Sequence, residues 1–266
     1  MFSLVDKNQY PEVLKRHAPR ITQFPLISAI LHRVQTGFVY ASTADGAVFV
    51  CAKAGFSQFD TTQSSLSLIE RFWHFLQNNN EIPSYIHLYD VPSSLQTFIA
   101  GQCDKHWIRR RVQFRNYRRA PLYNYQRLLP PRHRIATIQA LGCGVLEQAF
   151  KLRFAEKFWD SAEDFLTNGL GVCIVDSDDA PLAICYSCCL VDGIAEIDTL
   201  VLPENRGRGF MRIVSEAFFN LAMENGVITH WDTFVSNVAS HALAQKFHLS
   251  RVREYDLVSV VVRSPL

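Results

Sequence analysis

The sequence predicts an α/β (α+β) fold that is divided into two domains. Segments with strand and helix character alternate along the 266-residue chain, and 48% of the residues are hydrophobic, which is enough to fill sizeable cores. The paired prolines of RLLPPRHR, residues 127–134, can continue neither a helix nor a central strand, and they divide the chain almost in half. We therefore expect an N-terminal α/β domain over residues 1–130 and a C-terminal domain over residues 131–266.

The elements of the N-terminal half follow from hydrophobic periodicity. The first helical pattern starts at a serine, a residue that is favoured where helices begin. The predicted order is a strand at 46–54, a helix at 64–80, a strand at 84–90, a helix at 92–103 and a strand at 106–118.

The C-terminal half continues this alternation. Turns that contain aspartate and glycine separate its first strands, because these residues tolerate the backbone angles of tight turns. Its longest helix has one apolar face, and Asn225 and Gly226 form the C-terminal signal of that helix. The predicted order is helices at 143–158 and 160–168, strands at 171–176, 181–191 and 194–202, a helix at about 208–224, a strand at 227–235, a helix at 236–248 and a strand at 250–263.

Residues 84–114 and 227–257 share an order of strand, helix and strand. One interpretation is a degenerate internal repeat, in which the N-terminal domain is a copy of the C-terminal one. The other interpretation is that any two α/β segments look alike at this level. Both stay open.

The composition is typical of a cytoplasmic globular protein. The N-terminus lacks the basic start and apolar core of a secretory signal, and charges or prolines interrupt every later apolar run before it reaches membrane-spanning length. Seven cysteines, an odd number mostly in apolar surroundings, predict reduced core thiols rather than a disulfide framework. The CxxCC pattern of residues 185–189 lacks a second ligand pair, so no metal site is expected.

The stretch PENRGRGFMR, residues 203–212, has the physical features of a phosphate-binding turn. It joins a strand to a helix, where unpaired backbone N–H groups and the positive end of the helix dipole meet. Gly207 and Gly209 permit close approach, and Arg206 and Arg208 add positive charge. The turn lacks both the lysine of a nucleotide-hydrolase loop and the wider glycine spacing of a dinucleotide-binding fold, so neither ATP nor NAD is expected.

The neighbours of this turn resemble those of a known family. Residues 195–226 resemble the acetyl-CoA-binding signature of the GNAT superfamily of N-acetyltransferases, whose R/Q-x-x-G-x-G/A motif falls on Arg206, Gly209 and Met211. Residues 230–255 resemble the second conserved region of that family, with matching spacing at Asn237, Ser240, Leu243 and Lys246. Together with residues 158–176, these stretches look like a little-characterised bacterial GNAT subgroup that has an extra N-terminal domain.

The resemblance implies an acetyl-CoA-dependent N-acetyltransferase with a mixed, splayed sheet. Acetyl-CoA, the co-substrate, would lie between two diverging strands, and the amine of a small-molecule or peptide acceptor would attack it directly. No membrane partner is implied, and the acceptor and the oligomeric state stay open. The implied cofactor-binding residues are Val201, Leu202, Arg206, Gly207, Arg208, Gly209, Phe210, Met211, Asn237 and Ser240.

Two residues depart from the family pattern. Met211 stands where the family has a small residue, and Ala244 stands where many relatives carry a tyrosine that acts as general acid. His241 and Tyr255 are alternative proton donors, and nothing in the sequence selects between them. Cofactor binding is therefore better supported than catalysis.

Acetyl transfer to an amine requires a general base and a donor that reprotonates the departing thiolate. Glu196 is the first candidate for the base, because some GNAT enzymes carry a catalytic glutamate at this spacing and neighbouring isoleucines favour a raised pKa. Asp198 shares a strand face with Glu196, and His230 is a candidate proton shuttle. The alternative roles are an ordinary salt bridge for Glu196 and a structural hydrogen-bond pair for His230 and Asp232.

Residues 105–134 form a basic segment with no aspartate or glutamate, whereas the rest of the chain has a net charge of −8, the difference between the chain's +2 and the segment's +10. Its basic residues are Lys105, Arg109, Arg110, Arg111, Arg115, Arg118, Arg119, Arg127, Arg132 and Arg134. Interleaved aromatic residues suit phosphate contacts and base stacking, so an RNA-binding protein is one alternative function. The other interpretation is a charged edge strand and linker whose arginines pair with acidic residues of the same molecule. A non-catalytic acyl-CoA-binding sensor is the remaining alternative to an enzyme.

Overall fold

The structure is a computed structural model that describes residues 1–63, 65–117, 122–151, 153 and 157–263. The chain forms two compact units. Unit 1 contains the described residues of Met1–Val112, Phe234–Ser236 and Arg253–Leu266, and unit 2 contains those of Gln113–Thr233 and Asn237–Val252. The end of the chain therefore belongs to unit 1, and the domain boundary between residues 130 and 131 stays a prediction.

The strands and helices alternate along the chain. In chain order the strands are β1 (Ser3–Leu4), β2 (Gly37–Ser42), β3 (Ala47–Ala52), β4 (Phe56–Thr61), β5 (Tyr85–Tyr89), β6 (His106–Asn116), β7 (Arg134–Thr137), β8 (Gly171–Val175), β9 (Pro181–Val191), β10 (Ile194–Val201), β11 (Ile228–Phe234) and β12 (Ser250–Val261). The helices are α1 (Tyr10–Ile21), α2 (Pro25–Leu31), α3 (Leu66–Asn78), α4 (Ser93–Gln102), α5 (Ile138–Leu141), α6 (Cys143–Phe150), α7 (Ala162–Asn168), α8 (Phe210–Glu224) and α9 (Val238–Lys246).

In unit 1 the strands hydrogen-bond in the order β1-β2-β3-β4-β5-β12-β6. Strands β4 and β5 are parallel, whereas β2, β3 and β4 form antiparallel neighbours and β5 pairs antiparallel with β12. Helix α3 buries the apolar stripe formed by Leu68, Phe72 and Leu76 against this sheet, as its helical spacing predicts. Val258 and Val260 of β12 belong to the same core, so the last strand of the chain completes unit 1.

In unit 2 the strands hydrogen-bond in the order β6-β11-β10-β9-β8-β7, with the last residues of β6 taking part. Strands β10 and β11 are parallel, and β7 to β10 are antiparallel neighbours. Buried Trp159, Phe165 and Tyr186 form part of its core, and the Trp159 indole donates to the Ser187 carbonyl at 2.9 Å. The predicted α/β (α+β) class with a mixed sheet is confirmed.

Every predicted strand and helix other than the helix at 143–158 is present with bounds shifted by a few residues. The helix predicted over 143–158 is not continuous, because α6 ends at Phe150 and Lys151 adopts a left-handed backbone with φ of +51°. Residues 152 and 154–156 of that prediction lie outside the described residues. The sequence patterns missed β1, α1, α2, β2 and β4 in the first 61 residues, and β7 and α5 at residues 134–141. Over the ranges given above, no helix is both long enough and apolar enough to span a membrane.

Candidate functional site

Strands β10 and β11 separate partway along their length. Their parallel pairing joins Ile194–Glu196 to Ile228–His230 and then stops, whereas β10 continues to pair with β9 as far as Val201. The register with β9 shifts between Glu196 and Ile197, which marks a β-bulge at the point of separation. In the second half of β10, the backbone edge on the β11 side is therefore unpaired within the described part of the chain, and we call the space between the two strands the gap of unit 2. The predicted splayed sheet is confirmed.

The turn after β10 delivers the chain to the start of α8. A single 3-10 turn, Pro203–Asn205, follows Leu202, and then Gly207 and Gly209 take left-handed backbone angles with φ of +76° and +78°. Other residues are strained in this conformation, which explains the two glycines. A Cβ atom at either glycine would meet no atom within 4 Å, so the space in front of the turn is open.

The backbone N–H groups of the turn have the arrangement that is typical of an anion-binding site. Arg206 N–H donates to the Pro203 carbonyl at 3.3 Å. In the part of the chain that the structure describes, the N–H groups of residues 207–211 donate to no protein acceptor, and no side chain caps α8. Four unsatisfied N–H groups and a positive dipole end mark the start of every helix, and here the protein leaves them uncovered.

Two arginine side chains at the turn, those of Arg208 and Arg212, are held by the protein itself, whereas Arg206 is exposed. Arg208 donates to buried Asn205 at 2.8 Å, and its guanidinium lies 4.7 Å from the ring centroid of Phe210. Arg212 pairs with buried Glu216 one helical turn later, at 2.8 Å. These contacts shape the turn, so the backbone and Arg206, rather than Arg208 and Arg212, are left for a ligand. Sequence reasoning missed Asn205 and Glu216, whose only signal is their spacing from the two arginines.

The remaining predicted cofactor residues all belong to unit 2. Val201, Leu202 and Met211 are half-buried at the end of β10 and the start of α8. Asn237 caps α9 by accepting from the Ser240 N–H at 3.1 Å, and the Ser240 hydroxyl accepts from the Trp231 indole at 2.8 Å. Their contact with a cofactor stays a prediction.

Two of the candidate catalytic residues come together where the strands separate. Glu196 and His230 are direct register partners in the last parallel pair of β10 and β11, so they occupy the same face of the sheet. Glu196 is half-buried and His230 is fully buried. Arg115 Nε donates to His230 Nδ1 at 3.4 Å, which gives His230 a partner other than the predicted Asp232.

Asp198 is held by hydrogen bonds within the sheet. The Tyr186 hydroxyl donates to its Oδ2 at 3.1 Å, and the Thr199 N–H donates to its Oδ1 at 2.8 Å. Burial, together with the nearby Asp198 charge, raises the pKa of Tyr186 well above its ordinary value, so the phenol stays protonated and donates. The structure thus assigns both Asp198 oxygens to structural partners, and sequence patterns missed Tyr186 because it lies inside an apolar strand.

The candidates for a general acid differ in position. Ala244 is fully buried, and its methyl side chain has no acidic proton to donate. Tyr255 lies in the core of unit 1, where its ring packs 5.0 Å from Phe24 and 5.9 Å from Tyr89. His241 lies in unit 2 on α9, half-buried and edge-on to Phe114 at 5.7 Å. His241 is therefore the better placed of the two substitutes.

The cysteines of the CxxCC pattern are buried thiols of unit 2. Cys185, Cys188 and Cys189 are fully buried, and desolvation raises the pKa of each thiol well above its ordinary value. Among the residues with described positions, no three His, Cys, Asp or Glu side chains form a group that could hold a metal ion.

Among the described residues of the basic segment, at least Arg110 and Arg134 pair with acidic residues of the chain. Arg134 pairs with Asp179 at 2.8 Å, and Arg110 pairs with two carboxylates of β12. The interpretation of intramolecular pairing therefore applies to these two. Arg118 and Arg119 lie outside the described residues.

Comparisons with known proteins match this chain to acetyltransferases. The GNAT acetyltransferase family profile matches residues 26–258, which include most of both units. An uncharacterised N-acetyltransferase, YdfB of Bacillus subtilis, is 33% identical over 109 residues, and this alignment spans only 41% of each protein.

Solved structures resemble the whole chain in fold. A GCN5-related N-acetyltransferase-like protein from Streptococcus suis matches with a TM-score of 0.71 and 16% identity, covering 94% of this chain and 99% of that one. A tandem GNAT protein from the clavulanic acid biosynthesis pathway matches with a TM-score of 0.63 and 12% identity, covering 100% and 99%. At these identities the likeness concerns the fold.

Proposed function

The chain belongs to the GNAT acetyltransferase family, and from that premise we propose that unit 2 binds acetyl-CoA and transfers its acetyl group to an amine of a small-molecule or peptide acceptor. The observation that carries the proposal is the uncovered row of N–H groups at residues 207–211, beside the gap that opens beyond Glu196. Pyrophosphate is the anion that such a helix start accommodates, because several N–H groups and the helix dipole act on it together.

The residues present fit the cofactor. The two left-handed glycines keep the turn free of side chains, so a diphosphate can approach the N–H groups closely. The free backbone edge of β10 near Val201 and Leu202 would pair with the pantetheine arm, as an added strand would. Ser240, whose oxygen accepts from Trp231, still has a hydroxyl proton to donate to the cofactor.

The chemistry divides between the cofactor and the chain. When bound, acetyl-CoA supplies the acetyl group in an activated thioester form. Glu196 would take a proton from the acceptor ammonium, directly or through a water molecule, so that the amine attacks as a neutral nucleophile. His230, on the same sheet face, would orient Glu196 or relay that proton. His241 is the candidate that returns a proton to the departing thiolate.

Two observations favour a second candidate, an acyl-CoA-binding module without catalysis. Buried Ala244 stands where many GNAT enzymes have a proton-donating tyrosine, and both oxygens of Asp198 have structural partners. A protein of this kind would keep the anion-binding turn and would not need the proton donor.

Calorimetry and an acceptor screen together test these proposals. Acetyl-CoA is titrated into the wild type and Glu196→Gln, and coenzyme A release is followed with polyamines, amino acids, aminoglycosides, peptides and tRNA. We expect both proteins to bind acetyl-CoA equally, and the variant to turn over about 100-fold more slowly, which is typical of a lost general base.

The outcomes separate the two candidates. Binding with no coenzyme A release above background in either protein would support the sensor. No binding of any CoA ester by the folded protein would remove both candidates.

A further inference from the structure

The first half of strand β6 exposes side chains on both faces of the sheet. Because side chains alternate along a strand, Trp107, Arg109 and Arg111 occupy one face, whereas Ile108 and Arg110 occupy the other. Trp107 remains 49% exposed and Ile108 44% exposed. One basic run in the sequence therefore becomes two different surfaces of unit 1.

The Arg110 surface is neutralised by the chain itself. Arg110 pairs with Glu254 at 3.3 Å and with Asp256 at 3.1 Å. Hydrogen bonds from Arg110 to these two carboxylates raise its pKa, so this guanidinium stays charged and paired. This face shows the expected intramolecular pairing, but β6 is not the expected edge strand, because it lies between β12 and β11 in the strand order.

The opposite surface combines arginines with aromatic rings. The guanidinium groups of Arg109 and Arg111 lie 4.3 and 4.5 Å from the centroid of the Phe234 ring. Tyr85, which is 40% exposed, packs edge-on against Trp107 at 6.2 Å. We call these five residues the aromatic–arginine face.

Arg109 is held in place without a carboxylate. Besides the Phe234 ring, it contacts the Ser259 hydroxyl at 3.5 Å, and that hydroxyl lies 2.8 Å from His87 Nδ1. Over the described ranges, no carboxylate lies within ion-pair distance of Arg109. A guanidinium that stacks on a ring directs its N–H groups outward in its own plane, which suits recognition of a phosphate.

We propose that the aromatic–arginine face of unit 1 binds single-stranded nucleic acid, a function beyond acetyl transfer. Exposed Trp107 and Tyr85 offer stacking surfaces for unpaired bases, while Arg109 contacts the phosphate between them. An acidic peptide would satisfy the arginines and leave both aromatic rings in water. A duplex would satisfy the phosphate contacts but keeps its bases stacked internally, so neither ligand matches the whole face.

Fluorescence anisotropy with a labelled oligouridylate of about 12 nucleotides tests the proposal, because one stacking surface and its basic groove commonly cover such a length. Trp107→Ala is expected to weaken binding about tenfold, and Trp107→Phe to restore part of it, since a base–aromatic stack contributes about 1–3 kcal/mol. Arg109→Ser is expected to reduce the slope of log K against log salt by about 0.7, the loss of one single-strand phosphate contact.

Arg110→Ser is the matched control, because it removes the same charge from the adjacent position on the opposite face. It is expected to leave the affinity within about twofold and the salt slope unchanged. Equal weakening by Arg109→Ser and Arg110→Ser would overturn the proposal in favour of general charge attraction. Equal binding of a duplex of the same length, or no binding at low salt, would also overturn it. Acetyl-CoA titration of the same variants distinguishes this failure from a failure of the proposed enzymatic function.

Discussion

Strand β4, helix α3 and strand β5 of unit 1 have the same order as strand β10, helix α8 and strand β11 of unit 2. In both units the two strands are parallel and their pairing is short. In unit 1 it joins Phe56 and Ser57 to His87 and Leu88, and in unit 2 it spans three residues of each strand. The structural match to a tandem GNAT protein fits this internal likeness.

The two regions differ in the turn between the first strand and the helix. In unit 1 the Thr61 hydroxyl accepts from the Gln63 N–H at 3.0 Å, and the Ser65 hydroxyl caps α3 by accepting from the Leu68 N–H at 3.2 Å. In unit 2 two left-handed glycines replace such side chains, and the N–H groups of residues 207–211 stay uncovered. The same order of elements thus yields a closed helix start in one unit and an open one in the other.

The carboxylates on strands β4 and β10 have different kinds of partner. Asp60 of β4 is buried and contacts His17 at 2.6 Å and Arg20 at 2.8 Å. Asp198 of β10 is half-buried and accepts from uncharged donors. The carboxylate of unit 1 is therefore held by basic side chains, and that of unit 2 by a phenol and a backbone N–H group. Within the part of the chain that the structure describes, unit 2 also leaves backbone N–H groups uncovered, at residues 207–211.

The largest expected effect concerns the buried carboxylate of unit 1. Asp60→Ala should lower the free energy of unfolding by about 3–5 kcal/mol, because it removes two hydrogen bonds to a charged group and leaves the buried His17 ring without its partner. Asp198→Ala should lower it by about 1–3 kcal/mol, the cost of leaving the Tyr186 hydroxyl without an acceptor. Urea denaturation followed by circular dichroism measures both. Equal losses would show that the carboxylates of the two units are equivalent.

The second prediction concerns the open turn of unit 2. Gly209→Val should weaken acetyl-CoA binding by about tenfold or more, or about 1.4 kcal/mol, because valine avoids the left-handed angles that aim the N–H groups. Gly193→Val is the matched control, since Gly193 also has a positive φ, +69°, and open space around it, in the turn between β9 and β10. Calorimetry should show a loss of affinity in the first variant alone, while both lose about 1–3 kcal/mol of stability. If both bind acetyl-CoA normally, residues 207–211 do not form the anion site.

A third variant tests whether the closed turn of unit 1 serves stability alone. Ser65→Ala should cost about 1 kcal/mol, the usual effect of losing a helix cap, and should leave acetyl-CoA affinity unchanged. Ser161→Ala removes the equivalent cap from α7, where the hydroxyl accepts from the Asp164 N–H at 3.0 Å, and should cost a similar amount. Differential scanning calorimetry compares the two. A change of acetyl-CoA affinity in Ser65→Ala would connect the unit 1 turn to cofactor binding.

The smallest expected effect is a pH dependence. Burial raises the pKa of Asp60, but the hydrogen bond from His17 and the charges of Arg20 and His17 outweigh it, so the folded pKa lies below the ordinary 3.8. The unfolded chain then binds the proton at higher pH, and the stabilisation is complete above about pH 4 and is lost as the pH falls through the folded pKa. Wild-type stability should therefore fall more steeply than that of Asp60→Asn below about pH 4 in urea denaturation. Parallel curves would show that Asp60 does not contribute to acid sensitivity.

Much of unit 2 could be predicted from local sequence. The glycines of the turn, the apolar face of α8 and the Asn225–Gly226 stop act within a few residues of one another, so their pattern is visible in one stretch of chain. The first 61 residues carry weaker signals: α2 is buried along its whole length and so has no amphipathic pattern, and α1 contains Pro19, a residue that ordinarily ends a helix. Helix α6 ends at one left-handed residue, Lys151. Glycine is the usual residue in that conformation, so a lysine there gives no sequence signal for the end of the helix.

The sequence by itself determined the α/β class, most element positions and the turn that we propose for pyrophosphate, because these depend on periodicity and on the backbone preferences of glycine. Only the tertiary structure decided that β10 and β11 separate after Glu196, that β12 completes unit 1, that Asp198 is held by Tyr186, and that Arg110 pairs with Glu254 and Asp256 of β12. Each of these depends on which strand pairs with which and in what register. Such pairing joins residues that are far apart in the chain, so no local pattern records it.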